Sequence, residues 1–165
     1  MALALHWRLI RTSAWLIPLL GIASLSSAEN LAGVDDPIRA SSNYKLNCRG
    51  CHGPIGEGNI SADVPRMQGF IGNFLKVDGG REFLVQVPGS ATTPLPDDAL
   101  AELLNWLLLT MGGTSMPEDF SPYDAREVAA LRKTPETDVI GRRAALIEAM
   151  RNLGSGQAAL TPEAR

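Results

Sequence analysis

Tyr44-Lys45-Leu46-Asn47-Cys48-Arg49-Gly50-Cys51-His52-Gly53, followed by Gly56 and Gly58, is the stretch that decides how this 165-residue chain is read. Within it, Cys48, Cys51 and His52 form a C-x-x-C-H pattern. Residues three and four apart share one face of a helical turn. Two thiols at that spacing can bond to the two vinyl groups of one haem while the adjacent imidazole faces the iron. The pattern therefore predicts one covalently bound haem c, attached at Cys48 and Cys51, with His52 as an iron ligand.

The N-terminus bears on the compartment. His6, Arg8 and Arg11 form a weakly basic head, Ala14 to Leu25 a short apolar run, and Ser26-Ser27-Ala28 offers small residues where a signal peptidase cuts. Pro18 and Gly21 interrupt a run already short of the ~20 residues a membrane-spanning helix needs. Residues 1–28 are thus expected to be a signal peptide, with the mature chain starting at Glu29, located in the periplasm and without a membrane span. Cleavage removes His6, Trp7 and Trp15, leaving His52 and Trp106 as the sole residues of their types. It also removes Arg8 and Arg11 from 15 basic residues while all 18 acidic ones stay. An acidic surface argues against nucleic acid as a partner.

Other readings of the cysteine pair fit less well. A disulfide oxidoreductase centre expects a βαβ pattern around it. A structural zinc site wants four Cys or His ligands, and the mature chain has three. A plain disulfide leaves His52 unexplained.

The rest of the chain reads as all-α, since aromatic content is 5% and Leu and Ala dominate several stretches. Leu31–Asn47 is predicted as a helix started by Asp35-Asp36-Pro37, with Ile38, Tyr44 and Leu46 as its buried side. Gly53 to Pro65 reads as loop. A short helix is expected over Arg81–Val87, ended by Pro88-Gly89. The strongest helix, Asp97–Thr110, carries Leu100, Leu103, Leu104, Leu107 and Leu108 at spacings of three and four. Further helices are expected over Asp124–Arg132 and Asp138–Asn152, with a tail after Gly154. The domain reading is 29–135 for the haem domain and 136–165 for a C-terminal helical extension and tail.

The helix leading into the haem motif and the glycines after it resemble the class I c-type cytochromes, over about Asp36 to Thr110. The resemblance implies an all-α helical fold around one haem. It further implies that Pro65 offers its carbonyl to the other imidazole nitrogen of His52 and that Met67 packs on the haem. Such a bond would orient the ring and raise its basicity. The family's second axial ligand is usually a methionine in a loop before the last core helix. Met116, in a loop, followed by Pro117 and ahead of the helix at Asp124, is the expected one, whereas Met67, Met111 and Met150 read as packing residues. A competing register remains open. If Asp97–Thr110 is the family's terminal helix, the ligand loop is Pro88–Pro96, which holds no methionine.

The function implied is single-electron transfer between periplasmic redox proteins, without catalysis. A dehydrogenase is the expected donor, a quinoprotein amine or alcohol dehydrogenase among the possibilities, and an oxidase or another cytochrome the acceptor. Alternatives are a haem-based small-ligand sensor with an open sixth site, or a cytochrome subunit of a larger dehydrogenase complex. Trp106 reads as packing, and Glu118, Asp119, Asp124 and Glu127 as a solvated face or docking patch without assigned role.

Overall fold

The computed structural model describes residues 31–154; the predicted signal peptide and the tail from residue 155 lie outside the described residues. The first helix, α1 (Pro37–Asn47), starts where the sequence says it should. Asp36 caps it, its carboxylate accepting from the Ile38 and Arg39 N–H groups at 3.0 and 2.9 Å, and Pro37 occupies the first turn. Its buried face differs from the expected one. Ala40 and Tyr44 are buried, while Ile38 and Leu46 are 80% and 82% exposed. At 3.6 residues per turn only positions three or four from Tyr44 share its face, and Ile38 and Leu46 do not.

The short helix α2 (Arg49–His52) follows at once, then a loop, the 3-10 helix Ile71–Lys76, α3 (Gly80–Gln86), and a single turn α4 (Pro88–Ala91). Pro88-Gly89 thus both ends α3 and opens another turn. The leucine helix, α5 (Asp97–Met111), α6 (Ala125–Leu131) and α7 (Val139–Asn152) complete the order. Asp124 and Asp138 cap α6 and α7 by accepting from the Glu127 and Gly141 N–H groups. No strand occurs among the described residues; the one extended feature is an isolated bridge between Asn59 and Val64. The fold is all-α, as expected.

Helix α5 is the centre of the packing, with α1 against one side and α6 against another. All five predicted leucines are buried, each worth about 1.5–3 kcal/mol relative to exposure. Helix α7, set apart in the sequence as part of a C-terminal extension, packs on the 3-10 helix Ile71–Lys76 and adds Leu146 and Met150 to the same buried cluster. Gly80 permits another close approach: any Cβ there would run into the Phe74 carbonyl. With hydrogen in its place, α3 closes on the 3-10 helix and Phe83 stacks on Phe74 at 5.4 Å between ring centroids.

Polar groups fix the α1–α5 crossing. Glu102 is 5% exposed, and its carboxylate accepts from Asp35 and Asp36 N–H (3.1 and 2.8 Å) and from Arg39 Nε and Nη2 (2.8 and 2.9 Å). Burial alone would push this carboxyl up, but the Arg39 bonds and the two backbone donors outweigh it and hold it below the ordinary carboxylate range. A depressed carboxylate stabilises the fold at neutral pH and loses that contribution as pH falls through its folded-state value. The expected result is that Glu102→Gln lowers the melting temperature at pH 7 and flattens its fall below the ordinary carboxylate range. Melting curves of both proteins from pH 7 to 3 check this, and parallel curves would refute it.

Candidate haem-binding site

Helix α1 runs directly into the attachment motif. The Cys51 and His52 N–H groups donate to the Cys48 carbonyl at 3.2 and 3.0 Å, so the three side chains are set by a single helical turn. Both cysteines are free thiols, Cys48 half-buried and Cys51 exposed. Burial, and then the neighbouring Cys51, push the Cys48 thiol up to about 11. Tyr44 on α1 donates its hydroxyl to the Gly53 carbonyl at 2.6 Å, which ties the helix to the loop just beyond His52.

That loop folds back on the histidine. Gly58 N–H donates to the His52 carbonyl (3.0 Å), Asn59 and Val64 exchange two bonds of 2.9 Å, and Met67 N–H donates to the Gly56 carbonyl (2.7 Å). The turn needs Gly56 at φ +76°, where a side chain would also press on the Met111 sulfur and on Met67. The result delivers Pro65 to the imidazole. Burial lowers the His52 pKa, keeping the ring neutral and able to act as a ligand, while the Pro65 backbone carbonyl pulls in the opposite direction. Nδ1 of His52 is buried and makes no hydrogen bond of good geometry. A buried imidazole nitrogen beside a carbonyl, with little else to bond, suits a ring waiting to be oriented by a metal.

These residues open onto a cavity of about 300 Å³ lined by Cys48, Cys51, His52, Pro65 and Met67. Its remaining walls are mostly apolar, with Phe74, Phe83, Leu84, Leu104 and Leu107 among them. Thiols for two thioether bonds, an imidazole beside them, and an apolar slot fit a c-type haem. Sequence reasoning singled out Cys48, Cys51, His52, Pro65 and Met67 among these lining residues, but not the aromatic pair Phe74 and Phe83, which no local pattern announces.

The structure does not bring Met116 to this cavity. Its thioether lies over Gly112 at the end of α5, and its backbone packs on Gly72. Gly72 belongs to the 3-10 helix whose Ile71 and Phe74, one turn apart, face the cavity, so Met116 lies against a different face of that helix. Of the two loops considered for the second ligand, the one reaching the cavity follows α3, with Val87, Gly89 and Ser90 in the lining. Arg132, at the C-terminal cap of α6, holds that loop in place, bonding the Leu95 carbonyl (2.8 Å), the Ala91 carbonyl (3.2 Å), the Thr93 carbonyl (2.5 Å) and the Asp97 carboxylate (3.0 Å). From α7, Val139 and Arg143 complete the wall.

Two curated relatives are similar to this chain. Both are called cytochrome c-552 and both come from Thermus thermophilus, the second from a specified strain of that species, and each is 30% identical over 103 residues. The match takes in 52% of this chain and 78% of the first relative, 69% of the second. The chain belongs to the c-type cytochromes. No family model matches it, and no solved structure does.

Several residues outside the motif position the cytochrome's site, and the sequence marked some of them only weakly. Glu102 and Asn105 are polar positions inside a leucine helix, a local signal that they pair with something buried. Trp106 packs on Tyr44, ring centroids 5.7 Å apart, in line with its reading as a packing residue. Of the acidic residues left unassigned, Asp124 caps α6. Glu127 bonds Arg81, whose guanidinium also donates to the Ser121 and Pro122 carbonyls and lies 3.9 Å over the Tyr123 ring.

Proposed function

We propose that this c-type cytochrome is of the class I kind, carries one haem, and moves single electrons between redox proteins in the periplasm without transforming a substrate. The observation that carries the reading is the convergence of Cys48, Cys51 and His52 on one apolar cavity. When bound, the haem supplies a one-electron Fe(III)/Fe(II) couple. The chain's own part is to anchor the group through the two sulfurs, present a neutral imidazole beside the Pro65 carbonyl, and surround the site with side chains that exclude water. A low-dielectric surround penalises the more highly charged oxidation state and so raises the potential.

Export by cleavage after Ala28 supports the periplasm as the compartment, since this region reads as a signal peptide. Among the described residues no helix is long and apolar enough to cross a membrane. A periplasmic dehydrogenase as donor and an oxidase or second cytochrome as acceptor are the partners this role requires.

A potentiometric titration of the purified protein, followed by the haem absorption, tests the proposal. One reversible step is expected in which the ratio of reduced to oxidised protein changes tenfold per ~59 mV, as a single electron demands. Two resolved steps would contradict the mono-haem reading, and substrate turnover by the protein alone would contradict the carrier reading.

A further inference from the structure

We infer that no residue among the described ones supplies a sixth ligand to the haem iron, and that the site opposite His52 is open to a small uncharged diatomic ligand such as carbon monoxide. This rests on the haem reading above and goes beyond it. The argument is a census of donors. Haem iron takes its axial ligands chiefly from imidazole nitrogen, methionine or cysteine sulfur, or tyrosine oxygen. His52 is the sole histidine among the described residues, and the two cysteine sulfurs are consumed by attachment.

The four methionines among the described residues, Met67, Met111, Met116 and Met150, are each engaged with other groups. Met67 lines the cavity, but its N–H bonds the Gly56 carbonyl and its Cε would be 3.4 Å from a methyl placed on Gly56. It is therefore tied to Gly56, four positions beyond His52, in the loop that leaves the histidine. Met111 is buried with its sulfur over the same glycine. Met116 rests on Gly112 and Gly72, away from the lining. Met150 is fully buried, about 10 Å along α7 from Arg143, the nearer of that helix's two cavity residues.

The loop that does reach the cavity, Val87 to Pro96, offers hydroxyls and backbone carbonyls but no sulfur, imidazole, amine or phenol. Arg132 pins it from outside by donating to the Ala91, Thr93 and Leu95 carbonyls, which leaves it little freedom to admit a more distant residue. What surrounds the cavity away from the motif is largely hydrocarbon, including Val87, Leu104, Leu107 and Val139. A small uncharged ligand needs no charge or hydrogen-bond partner from the hydrocarbon part of these walls, which Arg143 also joins.

The experiment uses the holoprotein, wild type and the separate variants Met116→Leu and Met67→Leu, after intact mass has shown covalent haem in each. Expected is stoichiometric carbon monoxide uptake by the reduced wild type, seen as a shift of the main haem band, with the affinity of Met116→Leu within about twofold of it. The oxidised wild type should lack the long-wavelength sulfur-to-iron charge-transfer band. A reduced wild type that takes up no carbon monoxide overturns the inference, as does a charge-transfer band that either substitution abolishes. A chain without covalent haem overturns the haem reading as well, whereas haem present with a closed site overturns this inference alone.

Discussion

Replacing Cys48 and Cys51 together by alanine is expected to reduce covalent haem from one per chain to none. The two sulfurs stand on one helical turn beside His52 and are the groups proposed above to anchor the haem. Intact mass after denaturation reads the result directly. The wild type should carry the haem mass on a chain beginning near Glu29, and the double variant should show polypeptide alone. Survival of the adduct in the double variant would refute the assignment. A second consequence follows for stability. Without haem, the apolar walls of the cavity of about 300 Å³ face water instead of the group they would pack on, at a cost of about 25 cal/mol per Å² of apolar surface left uncovered. The variant is therefore expected to melt at a far lower temperature than the holoprotein, or to lose a cooperative transition altogether.

The second large effect is expected at Asn105, remote from the haem motif in sequence. Its side chain is fully buried on α5 and makes three bonds: Nδ2 donates to the Gly33 and Tyr123 carbonyls, both at 3.0 Å, and Oδ1 accepts from Tyr123 N–H at 2.8 Å. It thereby ties the segment before α1 and the segment before α6 to the central helix. Asn105→Leu would place a similar volume there but leave three backbone groups without partners. A buried unsatisfied group costs about 1–3 kcal/mol. The losses are not additive, and an overall destabilisation of about 3–4 kcal/mol is expected, or roughly 10–15 °C in melting temperature. Covalent haem content should be unchanged, because Asn105 does not line the cavity. Equal melting temperatures for variant and wild type would refute the role.

The contrast between these two sites shows where sequence was enough. A helical turn places residues three and four apart on one face whatever the rest of the chain does, so Cys48, Cys51 and His52 could be placed together by spacing alone. The caps at Asp36, Asp124 and Asp138 and the leucine stripe of α5 are local in the same sense, each set by a side chain and backbone groups a few positions away. Even α1 shows the limit of that reasoning, since Ile38 and Leu46 were expected inside from their hydrophobicity and lie outside because Ala40 and Tyr44 meet α5. Tertiary structure alone decided what forms the far walls of the cavity: Gly80 letting Phe83 stack on Phe74, Arg132 reaching across from the end of α6 to the loop before α5, Val139 and Arg143 arriving on α7. It also decided where Met116 sits, against Gly112 and Gly72 rather than in the lining. Such contacts join residues dozens of positions apart, and their geometry depends on how whole helices cross, which no local periodicity encodes.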